Sequence, residues 1–243
     1  MTEEYTLSVI MPAHQEQGNL RGAVEYVHSE ILKIQNIIGW EILIVDSLDR
    51  DGSDDGTPEL ADQLAAENNH VRVIHNHCYV NLGFKYFQGL KAARHDYFMM
   101  VPGKDTLHGD SLSNLLNSVG WADLIIGYHA TLQRRPLKRR LISWLFVTFI
   151  NGFFALRLKY YNGTTVIKTD SLRKLNLSNH DFAYMAEILV LLLKKHKASY
   201  IEVPFYTRGV RKYGKTQATN WNNVKGVAGT ILRLIKKVYF ERE

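Results

Sequence analysis

Residues 41–66 read EILIVDSLDRDGSDDGTPELADQLAA. The apolar run from Glu41 to Val45 has the length of a buried strand, and Asp46 ends it. A turn rich in aspartate and glycine follows, Asp51-Gly52-Ser53-Asp54-Asp55-Gly56-Thr57, and then a helical pattern from Pro58 to Ala66. Thr57 reads as the N-cap and Pro58 as the first helical residue. No capping duty falls to Asp46, which points to a ligand role for it.

The same alternation extends on both sides. Strand-like runs at Leu7–Met11, Val71–Ile74, Tyr97–Val101 and Leu124–Ile126 are interleaved with helical patterns at Leu20–Ile34, Phe84–Ala93 and Ser111–Val119. This is the βαβ signature of an α/β fold, a Rossmann-like, mostly parallel sheet flanked by helices on both faces. The second half predicts a helix over Leu137–Leu156, a strand over Thr165–Ile167, a helix over Phe182–Lys195 and a strand over Tyr200–Val203. A Gly- and Arg-rich loop then leads to a closing amphipathic helix, Trp221–Tyr239.

A chain of 243 residues suits one α/β domain, expected over 1–243, with residues 1–130 as one half and 131–243 as the other. Cys78 is the lone cysteine, so neither a disulfide framework nor a cysteine zinc site is expected, which fits a reducing, cytoplasmic setting. The opening MTEEYTLSVIMP has no secretory pattern, which leaves the Asn162-Gly163-Thr164 sequon without meaning as a glycosylation site. The uncharged run Leu141–Leu156 falls short of the roughly 20 residues that span a bilayer. The net charge of +6 is concentrated in Arg134, Arg135, Lys138, Arg139 and Arg140 and in the last third of the chain. Such clusters suit phosphates or anionic lipid, or are simply solvated faces; no nucleic-acid-binding motif accompanies them.

In parallel α/β sheets ligands sit beyond the carboxyl ends of the strands. Here those ends are Pro12-Ala13-His14-Gln15-Glu16, Asp46, and Pro102-Gly103-Lys104-Asp105. Glu16 either bonds a base or ribose hydroxyl or complements a helix dipole. Asp105 is either a turn residue or one carboxylate for a hard divalent cation that takes its other oxygens from the substrate. Gly83 reads as a turn before a helix and Gly89 as a close-packing position, and Lys85 or Arg94 could meet a phosphate. Asp46 and Asp105 are expected side by side at this edge.

In order and spacing these motifs resemble the glycosyltransferase family 2 domain, of GT-A fold. That family runs as a PAYNEE strand, a VDDGSTDGT turn, an N-x-G helix and a DxD-type strand end. Ala122-Asp123-Leu124-Ile125-Ile126-Gly127, Glu187, Glu202-Val203-Pro204 and Arg211-Lys212-Tyr213-Gly214-Lys215-Thr216 are similar to later segments of polyprenyl-phosphate sugar transferases, dolichol-phosphate mannosyltransferase among them. The resemblance implies an inverting transferase that moves a sugar from a UDP- or GDP-sugar, with Mg²⁺ or Mn²⁺, to a polyprenyl phosphate. Pro12, Ala13, Glu16, Asp46, Asp51 and Lys104 would line the nucleotide-sugar pocket, and Asp105 would hold the metal. Glu187, Arg208, Arg211 and Lys215 would face acceptor and phosphates, with Glu187 alternatively binding sugar hydroxyls or lying on a helix surface.

Four departures from the family pattern stand out. His14-Gln15 replaces Tyr-Asn, about four extra residues separate Asp46 from the Asp51 turn, Gly127-Tyr128-His129 lacks an arginine, and Gly103-Lys104-Asp105 stands where Asp-x-Asp is expected. Either metal binding is weakened or Lys104 itself offsets phosphate charge. A soluble or polysaccharide acceptor, and a degenerate nucleotide-sugar-binding protein, are the alternative readings. The aromatic-rich helix behind the five cations, residues 137–157, reads either as an interfacial helix on an anionic membrane or as a core helix apolar nearly all round.

Overall fold

The computed structural model describes residues 3–104, 107, 109–130, 137–175, 177, 183–206, 229 and 232–240, the side chains of 138 and 139 excepted. In chain order the elements are β1 (Tyr5–Pro12), α1 (Gln17–Ile31), β2 (Ile37–Val45), α2 (Thr57–Glu67), β3 (Val71–Ile74), α3 (Leu82–Ala92) and β4 (Tyr97–Met100). Then come α4 (Ser111–Leu116), β5 (Leu124–His129), α5 (Leu137–Phe154), β6 (Thr165–Lys168), α6 (Thr169–Arg173), α7 (Tyr184–Lys194) and β7 (Tyr200–Phe205). Seven strands form one sheet in the order β3-β2-β1-β4-β6-β5-β7. All neighbours pair in parallel except β6, which runs antiparallel to both β4 and β5. The expected α/β architecture is therefore present.

Strand side chains alternate between faces, which makes two cores. Val9, Met11, Ile42 and Ile44 pack with Leu20, Val24, Val27 and Ile31, spaced as one face of α1. On the other side Ile10, Leu43, Val45 and Phe98 meet α3, α5 and α7, which is buried from Tyr184 to Leu193. Gly89 makes the α3 contact close, as its sequence context suggests: a Cβ there would lie 2.1 Å from Ile10 Cδ1.

Two local expectations are corrected. The N-cap of α2 is Gly56, at φ 88°, and Thr57 already lies in the helix. Only a residue at ease in the left-handed region makes that entry cheaply, which leaves the Thr57 hydroxyl free for a tertiary contact. Gly83 does not turn the chain ahead of α3; it lies inside the helix, whose cap is Asn81, its side chain accepting from Phe84 N at 2.9 Å. Of the expected closing helix, residues 229 and 232–239 are helical, while residues 221–228, 230 and 231 lie outside the described ones.

Candidate functional site

The carboxyl ends of β3, β2, β1 and β4 are laced together past the regular ladder. Asp46 N donates to Ile74 O (3.1 Å), Ala13 N to Val45 O (2.9 Å), and Gly103 N to Pro12 O (3.1 Å). A Cβ on Gly103 would stand at ordinary contact distance from Ala13 Cβ, 3.5 Å, which places the segment leading to Lys104 against the end of β1. Pro12, Ala13, Asp46 and Lys104 are thus neighbours along one sheet edge. Asp105 lies outside the described residues, as do Arg208, Arg211 and Lys215, so the expected approach of Asp46 to Asp105 has no geometry to report.

Helix starts close the edge from above. Glu16 occupies the N-cap position of α1, 5% exposed, and its Oε2 accepts from Asn19 Nδ2 at 2.7 Å. Its backbone N–H donates to Thr57 Oγ1 at 2.9 Å, which ties the head of α1 to the head of α2. The residue before it, Gln15, has φ 51°. A non-glycine residue held in the left-handed region stores strain of the sort found beside binding sites. Its side chain donates to Asp49 Oδ2 at 2.8 Å, and His14 Nδ1 lies 3.3 Å from Ser47 O. Two of the four departures from the family pattern, His14-Gln15 and the extra loop residues, therefore contact each other. Arg50 on that loop stacks over the Tyr79 ring. Asp51 stands exposed, its Oδ1 taken by Ser53 N and Oγ within the turn.

Lys85, one of the two phosphate-meeting candidates, is buried on α3 and donates through Nζ to Ala13 O. Burial pushes its ammonium down to about 8, even though Asp46 and Glu16 act to hold the proton. Two carboxylates and one cation thus share a buried volume at the strand ends. Arg94 is corrected: its backbone N–H meets Ser8 and Glu41 just before β4 begins, at the amino edge of the sheet, far from the strand ends.

Glu187 sits in the first turn of α7, 2% exposed, with Oε1 accepting from Lys237 Nζ at 2.9 Å. The reading of Glu187 as a helix-surface residue is thereby excluded. One turn earlier, Tyr184 OH contacts Met100 Sδ at the end of β4, so α7 enters near the same edge.

Sequence reasoning missed His75, Asn76 and Gln88. His75 Nδ1 is 2.8 Å from Asp46 Oδ2, and Asn76 Nδ2 donates to Asp46 O at 2.7 Å. Both follow the last residue of β3, so the strand-end rule applied to that short strand would have found them.

Helix α5 presents a separate surface. Leu137, Leu141, Trp144, Leu145, Phe149 and Phe153 are exposed at helical spacing along one stripe, Trp144 at 60%. Ile150 and Phe154 face the core, with Phe146 and Val147 against it. The core-helix reading of this segment is corrected, because only one side of an all-round apolar helix is covered. Tyr239, from the helical residues 232–239, donates to Phe153 O at 2.8 Å, and the neighbouring Phe240 is 77% exposed. Side chains of Lys138 and Arg139, and the whole of Arg134 and Arg135, lie outside the described residues. Among those described, no helix is long and apolar enough to cross a membrane.

The family described as glycosyl transferase family 2 matches residues 8–178. A low-salt glycan biosynthesis hexosyltransferase of Haloferax volcanii is 26% identical over 76% of this chain and 44% of its own length. A polyprenol monophosphomannose synthase of Mycolicibacterium smegmatis is 35% identical over 56% of this chain and 51% of its own. The chain spans about half the length of the curated relatives it matches. Among solved structures, mannosyl-3-phosphoglycerate synthase from Rubrobacter xylanophilus superposes with TM-score 0.69 at 16% identity, covering 98% of this chain and 77% of that one. Glucosyl-3-phosphoglycerate synthase from Mycobacterium tuberculosis, in complex with Mn²⁺, UDP-glucose and phosphoglyceric acid, superposes with TM-score 0.66 at 13% identity, covering 98% and 81%.

Proposed function

The chain belongs to glycosyl transferase family 2 and is a glycosyltransferase, and from that premise we propose that it moves a sugar from a UDP- or GDP-sugar to a polyprenyl phosphate at a membrane surface, with inversion. The observation that carries the donor side is the buried group of Glu16, Asp46 and Lys85 where β1 and β2 end and Gly103-Lys104 approaches. Carboxylates there suit base and ribose donors, and the two lysines suit a diphosphate. Pro12, Ala13 and the loop carrying Asp51 complete the pocket.

The acceptor's phosphate oxygen forms the new bond to the anomeric carbon as the bond to the diphosphate breaks. An ionised phosphate needs no strong general base. Arg208, Arg211 and Lys215 offset the charge of both phosphate groups, and Glu187 holds sugar hydroxyls or faces the acceptor. No group of three or more His, Cys, Asp or Glu among the described residues could cage a metal. By its place at the strand end, Asp105 would be the residue to hold Mg²⁺ or Mn²⁺, as an oxygen ligand suited to a hard divalent cation. When bound, that cation supplies charge stabilisation of the leaving diphosphate.

Support for the lipid acceptor comes from the names of relatives, an undecaprenyl-phosphate mannosyltransferase of Micrococcus luteus among them, and from the exposed apolar stripe of α5 with its basic start. Such a helix rests in an interface, each nearby cation contributing about 1 kcal/mol on an anionic surface. On this reading the protein works on the cytoplasmic side, peripheral to the membrane, as one domain over residues 1–243.

The direct test incubates the full chain with UDP- or GDP-sugars, Mn²⁺ and polyprenyl phosphate in anionic liposomes. Sugar transfer to the lipid is expected, together with liposome binding that weakens at high salt. Transfer only to a soluble phosphorylated acceptor, without liposome binding, would replace the lipid reading. Binding of a nucleotide sugar with no transfer to any acceptor would point to a degenerate binding protein.

Lys85 adds a pH dependence. Its pKa in the free protein is about 8, so the ammonium is intact below that pH and lost above it. A bound diphosphate raises that pKa, so affinity for UDP or GDP is expected to fall by up to about tenfold per pH unit above it. Calorimetric titration of wild type and Lys85→Met checks this: the variant should bind more weakly and lack the decline above pH 8. An identical decline in both proteins would remove Lys85 from the site.

A further inference from the structure

The Asp46 main chain is locked. Its N–H reaches Ile74 O and its C=O accepts from Asn76, whose amide is paired in both directions with that of Gln88 at 2.8 and 3.0 Å. The buried Asp46 side chain, 2% exposed, is contacted by His75. Nδ1 of His75 lies 2.8 Å from Asp46 Oδ2, and Nε2 lies 3.0 Å from Asp62 Oδ1 on α2. Carboxylates only accept, and a neutral imidazole carries one N–H. Both bonds therefore exist together only in the imidazolium; the neutral ring turns a lone pair toward one of the two carboxylates.

We propose that His75 is a positioning residue for the donor site: protonated and shared between Asp46 and Asp62, it fixes the Asp46 carboxylate and leaves Oδ1 for the nucleotide. The proposal rests on the donor-binding reading of Asp46. Asp62 takes part from outside, its side chain 68% exposed, so a surface carboxylate on α2 governs a buried one just past the end of β2. The charged groups acting here are Asp46 from the end of β2, Asp62 from α2, and Lys85 from α3 with Glu16 from the head of α1, both grouped with Asp46. Partial burial disfavours the charged ring, but the bonds to Asp62 and Asp46 outweigh it and raise the His75 pKa above its ordinary value.

The sign follows. A histidine whose pKa is raised on folding contributes stability that is complete below the unfolded value of about 6.5 and is lost as pH rises through the folded value. Donor affinity follows the same proton, full at low pH and declining as His75 becomes neutral.

The test uses the full chain with UDP and GDP as probes. The His75 imidazole is titrated by NMR in wild type and Asp62→Asn, and nucleotide affinity is measured by calorimetry across about pH 5.5–8.5, the range in which histidine changes charge. Asp62→Asn is expected to lower the His75 midpoint by about one pH unit and to move the first fall in affinity by the same interval. His75→Ala is expected to bind about tenfold more weakly and to lack that first fall, while the later decline assigned to Lys85 persists. A His75 that titrates at its ordinary value, or an affinity profile that ignores Asp62→Asn, overturns the proposal even if His75→Ala fails to fold. If neither nucleotide binds at any pH while the titration behaves as expected, the donor-site reading fails, and the positioning role with it, and only the charge clamp stands.

Discussion

Replacing Asp105 with alanine is expected to lower sugar transfer by at least about a hundredfold, the scale on which a single charge-stabilising group at a transition state acts. Asp105 is the one carboxylate in the Gly103-Lys104-Asp105 strand end, where two would ordinarily share a cation. Losing it leaves Lys104, a point charge that can offset a diphosphate but cannot ligate a metal. Turnover of the nucleotide sugar over a Mn²⁺ titration is the measurement, with the urea midpoint as control for folding. Unchanged turnover at every metal concentration would mean that the metal role does not belong to Asp105.

The largest effect on stability is expected at Gly163. An alanine Cβ there would sit 1.8 Å from the carbonyl oxygen of Gly127 and 2.8 Å from its carbonyl carbon. The obstacle is backbone on β5, so no side-chain rotation relieves it. Gly127 N also donates to Thr164 O at 2.9 Å, and Ile126 pairs with Thr165, so moving either segment loosens the β5–β6 ladder. Gly163→Ala should cost about 3 kcal/mol, the upper part of the range for overpacking. A urea midpoint shift equivalent to less than about 0.5 kcal/mol would show that the crossing is not tight.

The alternation of apolar runs and helical patterns places every strand of the sheet in sequence, because central strands buried on both faces are nearly continuous apolar runs and even the half-exposed edge strands β3 and β7 keep short apolar stretches. The strand-end rule then marks Pro12, Ala13, Glu16, Asp46 and Lys104 without any knowledge of strand order. Thr57 and Gly83 were misread because capping depends on φ, and Gly56 at 88° and Asn81 take those roles. Lys85 was read only as one of two residues that could meet a phosphate; its depressed pKa comes from burial, which one-dimensional spacing does not reveal.

What the sequence by itself determined is the α/β class, the family motifs and the list of polar residues that interrupt apolar strands, since these depend on local periodicity and composition. Only tertiary structure decided which of them meet. The antiparallel β6 separates β5 from β4, His75 reaches both Asp46 and Asp62, and Arg94 falls at the opposite edge from Lys85 although both belong to one helix–loop segment. It also decided that half of α5 stays uncovered, with Trp144 and Phe149 outside and Ile150 and Phe154 inside. An all-apolar helix carries no mark of which face the core will take; that is set by the neighbours that pack against it.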